Sequence, residues 1–228
     1  MSNNVLEQNF VDNFILINKP PNWTSFDVVN KIRYGIKRAF NIKKIKVGHA
    51  GTLDPLATGL LIVCTGKFTK KINDYQALEK EYTGNFTLGA TTPSYDMETP
   101  IDQTYKIEHI TPALIKKTTK KFLGTINQIP PIFSALKING ERAYKKARKK
   151  EEVILKPKKV EISEFEITKI DFPVITFRVV CSKGTYIRSL TYDFGKALKT
   201  GAYLSSLCRT RIGKYKLEDA LTIDELGL

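Results

Sequence analysis

Apolar positions along the chain fall into short runs with two alternating periods. Residues 14–17 form an apolar stretch ending at Lys19-Pro20-Pro21, which predicts a strand. Val28, Ile32, Ile36 and Phe40 then recur at helical spacing, with Thr24 and Ser25 as candidate N-caps. Residues 60–65 read as a buried strand, 68–78 as a short helix and 81–88 as an alternating strand. Residues 111–122 read as a helix with Lys116, Lys117, Lys120 and Lys121 on its wet side. Residues 134–138, followed by Asn139-Gly140, suggest a strand entering a tight turn, and residues 143–150 a basic helix. Residues 160–170 and 174–181 alternate as an antiparallel pair, and 186–199 form an amphipathic helix after Gly184. One more short strand and a helical turn close the chain. Strands and helices mix without a regular βαβ period, so the pattern predicts an α+β fold around a mixed sheet, in a single domain over 1–228.

Composition narrows the partner. The chain has 228 residues, 42% hydrophobic and 26% charged, enough for a packed core. Its 37 Lys and Arg against 23 Asp and Glu give a net charge of +14, which favours a polyanion, most simply nucleic acid. Only eight of the basic residues are arginine, so part of the excess is a general bias toward lysine. Residues 1–12 are polar and lack the apolar core of a signal peptide. The longest apolar run is far too short to cross a membrane. Cys64, Cys181 and Cys208 are scattered, which argues against a disulfide framework or a zinc site and fits reduced thiols in the cytoplasm. No P-loop, GxGxxG or HExxH motif is present, so neither a nucleotide cofactor nor a metal is expected.

The chemistry concentrates in "GHAGTLDPLATG", residues 48–59. Its glycines and Pro55 stiffen a loop that delivers one carboxylate, Asp54, to the edge of an apolar strand. An Asp before Pro is common in ordinary turns, but a carboxylate held this tightly is also what a pre-organised reactive group requires. His49 is either a structural histidine or a group that touches substrate or stacks on a base. In "CSKGTYIRSLTYDFG" (residues 181–195), Arg188 sits early in the predicted helix. It is either solvated or a fixed guanidinium able to keep a buried carboxylate such as Asp54 ionised. Tyr82 is a strand aromatic or a stacking platform. "IPPIFSALKINGERAY" (residues 129–144) suits a wall beside RNA, and Lys43, Lys44, Lys46 and the 143–150 helix suit phosphate contacts.

These stretches, in order, resemble the TruB family of tRNA pseudouridine synthases. "GHAGTLDPLATGLL" is similar to the family signature, "INKPPNWTS" to its N-terminal Lys-Pro motif and "KEYTG" to its tyrosine strand. "QIPPIFSALKINGERAY" is similar to its Pro-Pro/Ser-Ala-Lys segment, and "GTYIRSLTYDFG" and "LCRTRIG" to its C-terminal motifs. The resemblance runs from about Phe14 to Gly213. It implies a mixed, largely antiparallel sheet flanked by helices with a central RNA-binding cleft. It implies Asp54 as the catalytic aspartate, Tyr82 as the active-site tyrosine and Arg188 as the partner of Asp54. His49 would face the flipped-out nucleotides, Leu207 would line the uracil pocket, and Lys19 with Pro20 would support the site. The implied reaction turns a T-loop uridine of tRNA into pseudouridine-55, without cofactor or metal, in a monomer that needs no protein partner. Family members usually continue into a small, often PUA-like C-terminal domain. The sequence ending at Leu228 leads us to expect that this domain is absent, which also argues against the guide-RNA-dependent relatives. The rival classes are a non-catalytic tRNA-folding chaperone of the same fold and an N-ribosyl hydrolase that releases free uracil.

Overall fold

The computed structural model describes residues 10–134, 136–138, 140–149 and 155–227. Asn139 of the expected turn, Lys150 of the expected basic helix and the first nine residues of the polar N-terminus lie outside the described residues.

In chain order, β1 (Phe14–Lys19) leads to α1 (Ser25–Ala39), β2 (Val47–His49) and β3 (Thr58–Thr65). A 3-10 segment (Gly66–Lys71) and α2 (Ile72–Ala77) precede β4 (Lys80–Leu88). Next come β5 (Ala90–Thr91), β6 (Gln103–Thr104), α3 (Pro112–Thr119), β7 (Gly124–Gln128), β8 (Lys137–Ile138), β9 (Glu141–Arg142) and α4 (Ala143–Arg148). The chain continues through β10 (Lys158–Asp171), β11 (Val174–Cys181), α5 (Ile187–Ala197), β12 (Ala202–Ile212) and β13 (Tyr215–Lys216). It groups into two compact units. One holds the residues up to Tyr82 and from Leu207 onward; the other holds Thr83–Ser206.

In the first unit the strand order is β1-β3-β12-β4, with β2 on β3 and β13 on β12. β1 runs antiparallel to β3 from Phe14↔Cys64 to Lys19↔Gly59. β12 runs parallel to β3 where Cys208 and Arg209 face Thr58 and Gly59. The continuous apolar run of β3 is explained by burial on both of its faces. Leu61 and Val63 pack with Ile15, Ile17, Val28, Val29, Ile32 and Ile36 on the α1 side. Leu60, Ile62 and Cys64 pack with Ala50 and Ile212 on the other. Each Val, Leu or Ile side chain among these contributes about 1.5–3 kcal/mol by leaving water. Helix α1 begins in a capping box: the Thr24 side chain accepts from the Asp27 amide, and the Asp27 side chain accepts from the Thr24 amide.

In the second unit the order is β12-β4-β11-β10-β7. β10 is antiparallel to both β11 and β7. Its core is aromatic: Phe194 of α5 meets Phe86 at 5.3 Å and Phe165 at 5.4 Å between ring centroids, and Phe86 meets Phe177 at 5.7 Å.

The expected α+β class, with a largely antiparallel sheet and flanking helices, is the observed one. Some elements differ in extent. Of the strand expected over 134–138, Lys137–Ile138 is strand, and Ala135 lies outside the described residues. The short strand expected near the end is the 11-residue β12. Buried Arg209, together with Ser205 and Ser206, interrupts the apolar alternation that would have revealed its length.

Candidate active site

Asp54 lies on the loop between β2 and β3, and its two neighbours in sequence are fixed by hydrogen bonds. On one side, the Ser25 hydroxyl, at the start of α1, holds both ends of buried Leu53. It accepts from the Leu53 amide at 2.8 Å and donates to the Leu53 carbonyl at 3.1 Å. On the other side, the Pro55 carbonyl accepts from the Asn22 amide at 2.8 Å and from Lys19 Nζ at 3.3 Å. The segment between β1 and α1 therefore grips the residues before and after Asp54. A carboxylate clamped at both flanks has little freedom to lose on meeting substrate.

Two glycines serve the same end. Gly51 has a φ of +111°, outside the range that L side chains adopt easily. Gly59 has a φ of +100°, and a Cβ there would come within 2.4 Å of the Arg209 carbonyl oxygen, so β3 can pack on β12 only without a side chain. At Gly48 a Cβ would sit 2.8 Å from Ile72 Cδ1, the far end of a side chain that can shift.

Lys19 is wholly buried and more deeply engaged than a supporting role required. Its ammonium also donates to the carbonyls of Trp23 at 2.6 Å and Pro20 at 2.9 Å. Burial pulls its pKa down to about 8, aided by nearby Arg209, while the charge of Asp54 pushes it back up. Arg209, which the sequence reading did not single out, is buried on β12. Its Nε donates to the Leu60 carbonyl at 2.7 Å and its Nη2 to the Gly51 carbonyl at 3.1 Å. Its guanidinium lies 6.0 Å from the ring centroid of Tyr82, itself buried on β4. No local pattern marks it, since Arg209 falls out of step with the buried alternation of Ala202 and Leu204.

His49 ends β2 opposite Val63. Burial, with the charge of Arg209, lowers its pKa, so the imidazole is neutral near pH 7. That suits stacking or hydrogen bonding rather than pairing with phosphate. Leu207 is half-buried on β12, and its carbonyl accepts from Thr58 Oγ1 at 3.4 Å. The first unit thus contains Asp54, Lys19, His49, Tyr82 and Leu207 together with Arg209.

Arg188 belongs to the second unit and is not a solvated arginine. At 4% exposure, its Nε lies 3.6 Å from Oδ2 of Asp96, its Nη1 donates to the Ser94 carbonyl at 3.1 Å, and its Nη2 to the Phe133 carbonyl at 2.9 Å. Asp96 is the carboxylate that faces it within that unit. The Asp96 loop is itself closely bonded: Asp96 Oδ1 accepts from the Glu98 amide and its carbonyl from the Thr92 hydroxyl. Among the described residues, no group of three or more His, Cys, Asp or Glu side chains could hold a metal ion, and no helix is long and apolar enough to cross a membrane.

A carboxylate loop held by hydrogen bonds on both flanks, a buried arginine in each unit and a largely antiparallel sheet fit an enzyme of the pseudouridine synthase class. Residues 37–187 match the family described as "TruB family pseudouridylate synthase (N terminal domain)", and the chain belongs to that family. The protein named tRNA pseudouridine synthase B in Flavobacterium johnsoniae is 59% identical over 210 residues, 92% of each chain. That of Parabacteroides distasonis is 57% identical over 212 residues, 93% of this chain and 90% of the other. A chain in the structure titled "Crystal Structure of a Cbf5-Nop10-Gar1 Complex" matches at a TM-score of 0.71 and 30% identity, covering 96% of this chain. The match spans 56% of that longer chain.

The Lys19 ammonium gives a pH test. Above a pH of about 8, Lys19 becomes neutral, its charge-assisted bonds to three carbonyls weaken, and Asp54 loses a cationic neighbour. Single-turnover rate should therefore fall as pH rises through about 8. Unfolding is not the cause expected. Between about 8 and the ordinary lysine value the unfolded chain binds the proton and the folded one does not, so this group's contribution to stability rises with pH. Lys19→Arg, charged throughout, should remove the alkaline limb. A flat parent profile across this range would show that the Lys19 charge is irrelevant to turnover.

Proposed function

We propose that the chain isomerises one T-loop uridine of tRNA, the one that becomes pseudouridine-55, with Asp54 as the catalytic carboxylate. The observation that carries this reading is the two-sided clamp on Asp54, since a turn residue has no need of fixed neighbours on both flanks. The names of the relatives from Flavobacterium johnsoniae and Parabacteroides distasonis support tRNA as the substrate class. In the reaction the N1–C1′ bond breaks, the uracil turns, C5 bonds to C1′, and the C5 proton is lost as N1 gains one. Atoms and electrons balance without an oxidant, a reductant or water. The need is for a carboxylate beside C1′ and C2′ and for a pocket that retains the detached base. Asp54 meets the first need, either by bonding to the sugar or by taking its 2′ proton.

The target base is stacked inside a folded loop and must be everted. Neutral His49 fits the vacated position, Tyr82 stacks on the uracil, and Leu207 lines its pocket. Arg188 serves as the cationic partner of Asp54 while Asp96 and two carbonyls orient it. Surface lysines hold phosphates. The working form is a cytoplasmic monomer that uses no cofactor.

The test is incubation with an unmodified T-arm hairpin, assayed for pseudouridine and free uracil. Conversion of the single target uridine with no free base is expected. Free uracil would make the chain an N-ribosyl hydrolase. Binding and refolding of tRNA without either product would make it a chaperone.

A further inference from the structure

The outer face of α1 carries features that neither the core nor the Asp54 clamp uses. Phe26 and Tyr34 project from it at 58% and 66% exposure. They lie eight residues apart, a little over two turns, with Asn30 and Arg33 between them and Lys37 beyond on the same side. Burial of these rings against the protein would be the usual fate of such side chains, so an exposed pair on one stripe indicates an outside partner. Arg33 fixes the stripe in place. Its Nη1 donates to Asn30 Oδ1 at 2.8 Å, its Nη2 to the Val47 carbonyl at 3.1 Å, and its guanidinium lies 5.9 Å from the Phe26 ring centroid.

Charge identifies the partner. Residues 25–46 contain seven Lys or Arg and a single acid, Asp27, whose carboxylate is occupied by the capping box. Among the described residues, Lys37, Arg38, Lys43, Lys44 and Lys46 form no ion pair. Cations elsewhere, such as Arg178, Arg211 and Lys216, sit against glutamates. A segment this basic with its acids removed, bearing exposed rings, fits a polyanion with flat bases, which is a nucleic acid. A protein partner would more usually meet acids and an apolar surface.

Position decides what the surface does. The N-terminal end of α1 is tied to the Asp54 loop through Ser25 and Leu53, and the helix is anchored further along to Val47, two residues before His49. Over 15 residues the helix spans about 22 Å, the reach of several nucleotides. We propose that the outer face of α1, with the lysines that follow it, binds the backbone of the substrate RNA leading away from the reacting uridine, and that Phe26 and Tyr34 stack on unpaired bases there. This rests on the reading of the chain as a tRNA-modifying enzyme and adds a second, built-in RNA surface to it.

Two variants test it. Phe26→Ala with Tyr34→Ala removes the rings from exposed positions. Lys37→Gln with Arg38→Gln removes two charges and keeps helix-compatible side chains. Each is measured for melting temperature, for affinity to full-length unmodified tRNA as a function of salt, and for single-turnover conversion of saturating RNA. The ring variant should bind about tenfold more weakly or worse. The charge variant should lower the slope of log affinity against log salt by about 2. Saturated conversion should stay within a few-fold of the parent in both. Unchanged affinity and unchanged salt slope in folded variants would overturn the proposal and leave the face to a protein partner. Failure of the parent to make pseudouridine at all would overturn the functional reading instead, whatever the variants bind.

Discussion

Asp54→Asn should abolish pseudouridine formation while leaving a folded protein that still binds RNA. Asparagine keeps the size of the side chain and one carbonyl acceptor. It removes the negative charge and the basicity, so neither attack on C1′ nor removal of a 2′ proton remains open to it. A loss of at least about 10³-fold in single-turnover rate is expected for deleting a carboxylate in either role. The clamps on Leu53 and Pro55 involve main-chain atoms and do not depend on the Asp54 side chain, so the melting temperature should move little. The substitution carries a second readout. The charge of Asp54 is what pushes the Lys19 pKa up against burial, so in Asp54→Asn the Lys19 ammonium should titrate lower than about 8. Near-parent conversion by Asp54→Asn would overturn the mechanism, and with it the main reason for reading this chain as an active synthase.

How much of this was legible beforehand depended on range. Local signals served well. The helical spacing of Val28, Ile32 and Ile36, with Thr24 at its N-cap, describes α1 closely because cap and buried stripe lie within one short segment. The apolar run of β3 and the alternation of β10 and β11 follow from strand geometry in the same way. Asp54 stood out because glycines and a proline surround it in sequence. What no local pattern carries is which distant group an atom will meet. The hydroxyl of Ser25 reads as a helix cap, and it is instead spent on Leu53, 28 residues on. Lys19 is placed at the site through the family resemblance alone; three carbonyls and a nearby carboxylate make its burial tolerable. Arg209 is not marked by any local pattern, and it is among the most buried large side chains.

Arg188 shows the same limit in its sharpest form, since Asp96, 92 residues earlier, could not have been chosen from the sequence as its neighbour. Arg188→Lys is the change that tests what the guanidinium does. Lysine keeps a positive charge near Asp96, but its single nitrogen cannot occupy the three separate positions from which Nε, Nη1 and Nη2 reach Asp96, Ser94 and Phe133. Leaving a buried carbonyl without its donor costs about 1–3 kcal/mol, so a drop of several degrees in melting temperature is expected. Turnover should fall further than stability accounts for, by about 10²-fold or more, if the fork also orients Asp54. RNA affinity should change modestly, because the residue is buried and contributes little to the surface field. The measurement is single-turnover conversion well below the variant's melting point, with a binding curve on the same sample. A rate within a few-fold of the parent at that temperature would show that Arg188 only braces the Asp96 loop and Phe133, and that the proposed partnership with Asp54 is dispensable.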